Sequence, residues 1–448
     1  MRYKVRNTRS MAHQVVIAGG GFAGANAARE LERILPKQST KLILVNDVNF
    51  MLYTPLLPEA AAGMLEPRHV VTPLRDLLKR TYVRMGAITA HDPTSRTIEL
   101  SGHDGEAEEL SYDELLVAFG SVSRSLPIPG LDRHAIGFKS LADAIWIRNH
   151  IVETLEEANA TEDPARRDAL LSYVFVGGGY AGLEALAELQ DFAADAIQRY
   201  PRARLHGMRW LLVEAAQRVL PEIDAGLAEY ACGELRGRGI EIRMETTLAK
   251  VEADSVELST GETVPARTVV WTAGVKSHPS LRTMQLPLDD RGRIPVDDHL
   301  AVPGLQGVYA AGDCAAVPDP DGGLCPPTAQ HAIRQARVAA RNMAADLGVG
   351  HHEAFTYRSR GAFVNLGRYK AVASIPGGIT LSGFPAWWAA RTYHVSQMPG
   401  FARKLRAVAD WTVGLPFRRD TAEVGSIGHP RPLTDAAYER GGSHRPLA

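Results

Sequence analysis

The chain has little cysteine, almost no net charge and no long apolar run. Its 448 residues hold three cysteines, Cys232, Cys314 and Cys325, with no CxxC pair and none before position 232. That excludes a secreted scaffold held by disulfides and fits a reducing compartment. Fifty Lys and Arg stand against 51 Asp and Glu, a formal net charge of −1, which excludes a nucleic-acid binder relying on bulk positive charge. No stretch approaches the roughly 18 apolar residues of a membrane-spanning helix, so a soluble or peripheral protein is expected. Zinc-ligand spacing, a GxSxG nucleophile turn and a P-loop lysine are also missing, so no metal site and no nucleophile are expected. With 45% hydrophobic and 23% charged residues, the chain is too apolar for disorder, and its length suits about three domains. Only the first ten residues, MRYKVRNTRS, basic and without an apolar continuation, predict a disordered segment.

What is present begins at Gln14. A β-branched run, Val15 to Ala18, leads into Gly19-x-Gly21-Phe22-Ala23-Gly24 and then an Ala-rich helical pattern. This predicts a strand, a tight turn and a helix. Gly19 permits the turn, Gly21 lets the backbone approach a pyrophosphate, and Gly24 lets helix and strand pack closely. The next strand, Lys41 to Val45, ends at Asn46 and Asp47. Either can accept a hydrogen bond from a ribose hydroxyl; Asn46 comes first by position and Asp47 is the alternative. The pattern recurs at Gly177, Gly179, Tyr180 and Gly182, with Glu184 two residues beyond and a second strand ending in Glu214. A carboxylate there favours a free ribose 2′-hydroxyl, hence NADH over NADPH, although Arg218 four residues later can soften that preference.

Two dinucleotide sites imply an electron relay. Val308-Tyr-Ala-Ala-Gly312-Asp313 resembles the Gly-Asp motif of two-dinucleotide-domain flavoproteins, whose Asp binds the ribityl chain of FAD. The fold class is then α/β, with two Rossmann-like domains and a small C-terminal α+β region. The expected division is 11–125 and 296–348 for FAD, 126–295 for NADH, and 349–448 for the C-terminal part. Gly120 and Gly274 end buried-strand-like runs at the expected junctions, the first carrying Phe119 where the family usually has Thr.

Within that superfamily the chain resembles the type II NADH dehydrogenases, single-subunit NADH:quinone oxidoreductases of respiratory chains. The resemblance rests on Gly19 to Gly24, Asn49 to Leu57, Ile128 to Leu131, Gly177 to Glu184, Pro265 to Gly274, Gly312-Asp313 and Thr328 to Gln335. It implies FAD and NADH as cofactors, a membrane quinone (menaquinone or ubiquinone) as acceptor, no proton pumping, and a homodimer as one assembly. Disulfide reductases carry CxxxxC where this chain has Phe50 to Pro55, with Pro55 expected against the flavin. Sulfide:quinone oxidoreductases need cysteines that are absent before 232.

The same resemblance assigns roles near the flavin. Thr328 is expected to cap a helix whose N-terminus, with Ala329 and Gln330, faces the flavin pyrimidine and stabilises negative charge there. Gln330 matches a family glutamine lining the quinone path. Arg334 stands where a second glutamine is usual, with Gln335 beside it; it can serve the acceptor or be a solvated helix charge. Glu184 is expected near nicotinamide and flavin, orienting the ribose or assisting protonation, or compensating its helix dipole. Lys370 and Glu59 are weaker candidates for the quinone end and for proton supply.

Beyond Gly350 short strands are expected at Phe355 to Tyr357, Gly361 to Gly367 and from Lys370, followed by two helices around Phe384 and Phe401. Phe401, Leu405, Val408 and Thr412 recur at helical spacing, and over 384–420 six bases outnumber two acids. Such helices predict docking on an anionic membrane surface, at the cytoplasmic face of the cell membrane; the alternative is a pair packed on the fold or between subunits. A soluble NADH-linked flavoprotein with another acceptor, or one sensing NAD(H) redox state, remains the second functional reading.

Overall fold

In the first domain, the run from His13 to Ala18 is buried on both faces from Val15 onward, as a strand inside a covered parallel sheet must be. The computed structural model describes residues 13–102, 105–357, 361–375, 377–417 and 419–422, so the basic first ten residues lie outside the described ones. Five parallel strands form this sheet in the order Val308–Ala310, Glu114–Val117, His13–Ala18, Thr40–Asn46, Tyr82–Met85, with Ile17 level with Leu44 and Leu116. A three-stranded antiparallel meander, Ala87–Asp92, Thr97–Ser101 and Ala107–Ser111, leads out of it.

The second domain repeats the plan. Its parallel order is Ala135–Gly137, Thr268–Trp271, Ser172–Val176, Arg209–Val213, Ile240–Arg243, again with a meander between 248 and 265. Tyr173 stacks on Trp210 with ring centroids 4.4 Å apart, both fully buried.

Five helices position the site: α1 (Phe22–Ile34), α2 (Tyr180–Ala196), α3 (Ala329–Asp346), α4 (Gly383–Gln397) and α5 (Phe401–Gly414). α1 and α3 lie directly against each other, burying alanines such as Ala25, Ala28, Ala336 and Ala340. Small side chains allow that close approach. α3 opens as expected, with Thr328 Oγ1 accepting from the backbone N–H of His331 at 3.3 Å.

The chain crosses between domains on an antiparallel ribbon, Ser121–Ser123 against Val275–Ser277. Its outward strand, Ser121–Ser123, lies just before the junction expected near 125. The return does not fall at 295: Leu281, Met284 and Ile294 are buried in the core of the first domain, so the chain is already back by Val275–Ser277. Phe355 joins the same core, and Phe355 to Tyr357 form no strand, which moves the start of the C-terminal part past the expected 349. That part is a three-stranded antiparallel sheet, Ala362–Asn365, Ala371–Ile375 and Ile379–Ser382, followed by α4 and α5. Its strands pack on the second domain through Val364, Leu366 and Val372. Its helices reach the first domain instead, where Met398, Ala407 and Trp411 bury against Tyr53, Leu56 and Leu65.

Candidate active site

Each glycine loop is tight where the fold needs closeness and open where a ligand needs room. A Cβ at Gly24 would stand 1.8 Å from the Gly19 carbonyl oxygen, and one at Gly182 2.0 Å from that of Gly177. Gly19 and Gly177 have φ of +111° and +110°, a region that favours glycine. By contrast, a Cβ at Gly21 or Gly179 would meet nothing within 4 Å. That open side, at a helix N-terminus, leaves room for a pyrophosphate.

The second-strand residues hold these loops in matching ways. Asn46 Oδ1 accepts from the Gly20 N–H at 2.7 Å and its amide donates to the Val48 carbonyl. Asp47 is exposed and makes no such contact with the loop. In the second domain Glu214 accepts from the N–H of Gly178 and from that of Ala216. Arg218 turns its guanidinium onto the carbonyls of Pro221 and Ile223, so its side chain is committed within its own loop. Glu214→Gln is expected to narrow a preference for NADH over NADPH by roughly tenfold, the effect of ~1.4 kcal/mol of lost discrimination. Unchanged selectivity, measured as the ratio of kcat/KM values, would remove that role.

Asp313 follows Gly312, whose φ is +80°. Ser121 donates to its carboxylate at 2.6 Å, and Lys139 Nζ lies 3.7 Å from the same oxygen. The Gly312 N–H donates to Gln335 Oε1 at 2.9 Å. Gln335 therefore fastens the Gly-Asp turn from α3 and is buried there.

Both domains open onto one cleft of about 760 Å³. Phe22 and Tyr180, the first residues of α1 and α2, line it together with Pro55, Glu184, Ala329 and Gln330. The Gln330 amide is fixed at both ends, donating to the Gly361 carbonyl at 3.2 Å and accepting from Tyr357 at 2.7 Å. Glu184 accepts from the backbone N–H of Asn365 at 2.9 Å. Burial, reinforced by the negative charges of Glu59 and Glu188, pushes its carboxyl up to about 8, so it keeps its proton at neutral pH.

Three candidates stand elsewhere. Arg334 lines not this cleft but an adjoining groove, with its guanidinium 4.9 Å from the Tyr357 ring centroid. Lys370 pairs with Glu234. Glu59, 1% exposed, is an internal anchor: it accepts from Asn365 Nδ2 at 2.7 Å, from Arg391 at 3.1 Å and from the Trp411 indole. Phe119, the departure at the first junction, packs against His278 with ring centroids 5.7 Å apart.

Tyr53 and His394, unmarked in the sequence, also line the cleft, with Tyr53 Oη 3.3 Å from His394 Nδ1. Burial and the nearby Arg391 lower the His394 imidazole to about 4, leaving it neutral. Lys139 and Asn365 likewise carried no local signal, since their partners lie far along the chain. All three cysteines are free and buried, and burial raises Cys314 and Cys325 to about 11, so they are inert thiols.

Two dinucleotide folds, the first interrupted by the second and both facing a cleft without a cysteine pair, define a flavin-dependent pyridine nucleotide oxidoreductase of the non-disulfide kind. The pyridine nucleotide-disulphide oxidoreductase model matches residues 13–341. Type II NADH:quinone oxidoreductase Ndh of Mycobacterium tuberculosis is 30% identical over 418 residues, covering 90% of this chain and 88% of that protein. A probable NADH dehydrogenase of Dictyostelium discoideum is 29% identical over 91% of this chain and 90% of its own length. Among solved structures, NDH2 from Plasmodium falciparum in complex with NADH superposes with a TM-score of 0.83 at 17% identity, covering 92% of this chain and 99% of that one. The chain belongs to the pyridine nucleotide-disulphide oxidoreductase family and, within it, to the type II NADH:quinone oxidoreductases.

Proposed function

We propose that this protein oxidises NADH and passes two electrons through FAD to a membrane quinone. The observation that carries this reading is the single cleft on which both dinucleotide loops and the start of α3 converge, joined to family membership. The open faces of Gly21 and Gly179 fit a pyrophosphate each, and Asp313 stands ready for polyol hydroxyls. Bound there, FAD supplies the chemistry of accepting hydride and releasing electrons. The chain supplies alignment and charge. The N-terminus of α3 favours negative charge beside Ala329 and Gln330, while Glu214 accepts from the NADH ribose. Gln330, held by Tyr357 and Gly361, presents its amide to the acceptor carbonyl. Glu184 carries a proton into the same cleft.

Membrane attachment is part of this reading. No helix among the described residues is long and apolar enough to cross a membrane. Phe401, Leu405, Val408 and Leu415, with Trp388 and Phe384 on α4, stand exposed, so the apolar stripe of α5 faces outward while Ala407 and Trp411 pack inward. Such a face suits an interfacial helix pair, here assigned to the cytoplasmic face of the cell membrane; pairing of two copies through it is the competing use. The positive excess foreseen for 384–420 is smaller at the surface, because Arg391 and Arg419 are buried in ion pairs with Glu59 and Glu188.

Single-turnover and steady-state kinetics test the assignment together. Gln330→Ala is expected to slow quinone turnover at least tenfold while flavin reduction by NADH changes less than twofold. Equal loss in both steps would make Gln330 a folding residue, and rapid flavin reduction without quinone turnover in the wild type would sink the acceptor assignment. Turnover should fall as pH rises through about 8, where Glu184 loses its proton, and Glu184→Gln should abolish that limb.

A further inference from the structure

The close packing of α1 on α3 leaves the outer faces of both helices crowded with arginine. Arg29 and Arg33 project from α1; Arg334, Arg337 and Arg341 recur along one side of α3. Glu30 is the acid in their midst, and it is already taken, by Arg33 at 2.7 Å and Arg341 at 2.9 Å. Arg341 also reaches Glu353 at 2.9 Å. The remaining cations have no carboxylate partner among the described residues. Arg334 rests on the Tyr357 ring, and Lys404 of α5 donates to the Ser396 carbonyl. Arg29 and Arg337 reach solvent at the rim of the groove, and partial desolvation of the Arg337 side chain together with the neighbouring Arg334 weakens its hold on its proton.

These groups border a concavity of about 690 Å³ between α1, α3 and the turn joining α4 to α5. Its two sides differ chemically. One is the basic wall of Arg29, Arg334 and Arg337. The other is the start of α5, where Lys404 and Phe401 line the groove and the exposed Leu405 and Val408 continue outward. Like charges crowded without a counter-ion raise the energy of the free protein and favour a bound anion. A phosphate oxygen accepts from guanidinium in a geometry that lysine alone cannot match. The apolar continuation along α5 offers nothing to a free phosphate, but it suits hydrocarbon attached to one.

We propose that this groove binds the phosphodiester headgroup of an anionic glycerophospholipid, with its acyl chains lying along Phe401, Leu405 and Val408. The proposal rests on the membrane-attached reading above and adds to it one defined lipid site. Phe22, Ile333 and Gln397 line both the groove and the cleft, so a headgroup seated there stands beside the cleft mouth. It would fix the depth and tilt at which that mouth meets the bilayer. Arg334 then serves the groove and not the acceptor.

The experiment uses the full chain with its flavin. Binding of dihexanoyl phosphatidylglycerol below its micelle concentration, and of inorganic pyrophosphate, is measured by calorimetry. Two double variants are compared with wild type: Arg29→Ala with Arg337→Ala in the groove, and Arg403→Ala with Arg406→Ala outside it on α5. The groove variant should bind the short-chain lipid roughly 30-fold more weakly, at ~1 kcal/mol per arginine, while the α5 variant stays within threefold. Equal affinity in wild type and groove variant, or equal loss in both variants, would overturn the site. Pyrophosphate bound as tightly as the lipid and weakened equally would replace the lipid by a free phosphate and overturn the proposal in its stated form. Sedimentation with phosphatidylglycerol vesicles separates this from the broader reading: vesicle binding unaffected in the groove variant overturns the site but leaves attachment standing. Short-chain lipid bound in the groove without vesicle binding does the reverse.

Discussion

Gly21→Ala is expected to give a folded protein that purifies with little FAD, whereas Gly24→Ala is expected not to reach the native fold. The two positions are three residues apart and differ by one geometric fact. A Cβ at Gly21 meets no protein atom within 4 Å, and the residue has an ordinary φ of −74°, so alanine costs the apoprotein almost nothing. The methyl group instead occupies the side from which a pyrophosphate must approach. A Cβ at Gly24 falls 1.8 Å from the Gly19 carbonyl oxygen, which forces α1 away from the first strand and opens the packing beneath it. Overpacking of a close core contact costs about 1–3 kcal/mol when neighbours can yield, and here the neighbour is backbone. The ratio of flavin to protein absorbance and a thermal melt distinguish the cases. Full flavin content in Gly21→Ala would contradict the placement of FAD. Gly179→Ala should keep its flavin and lose reduction by NADH, since its loop belongs to the other domain.

The second large effect concerns the anchor of the C-terminal helices. Arg391→Ala is expected to destabilise the protein by about 3–5 kcal/mol, the loss found when one partner of a buried ion pair is removed. Both side chains of the Glu59–Arg391 pair are nearly inaccessible, at 1% and 7%. Arg391 also lies 3.7 Å from the Trp387 ring centroid and 5.0 Å from that of Trp411, so its charge is held by aromatic faces as well as by carboxylate. Replacing Glu59 by Gln together with Arg391 by Met removes both charges but keeps a carbonyl for Asn365 and Trp411. That double variant should recover more than half of the loss. Urea unfolding followed by tryptophan fluorescence reads the effect at the site, and a change below about 1 kcal/mol in Arg391→Ala would refute the anchor.

The contrast between these predictions reflects what a sequence exposes. The glycine loops are legible because a tight turn and a close helix–strand approach demand glycine from a few adjacent residues. The strand before each loop is equally local. The choice between Asn46 and Asp47 is not, since it depends on which side chain the strand end turns back toward Gly20. Nothing local links Glu59 to Arg391 and Trp411, which belong to the two terminal helices and lie more than 300 positions away from it. Counting Arg391 and Arg419 as surface charge failed for that reason. Arg334 matched a motif position, but the rotation of α3 gives that position to the groove and leaves Gln330 on the cleft. The return crossing is hard to read locally because Leu281, Met284 and Ile294 are scattered in a polar stretch whose burial depends on the meander at His91, which donates from Nδ1 to the Met284 carbonyl at 2.6 Å.

Arg419 gives the order of assembly a direction. Its guanidinium is 2% exposed and pairs with Glu188 on α2 at 3.0 Å. Everything else the second domain needs for its sheet is synthesised long before that arginine leaves the ribosome. Until then Glu188 sits in an apolar interior without its counter-charge and must hold a proton or a water. A nascent chain can thus carry a formed but provisional NADH domain, and the segment that brings Arg419 acts as the latch that seals it.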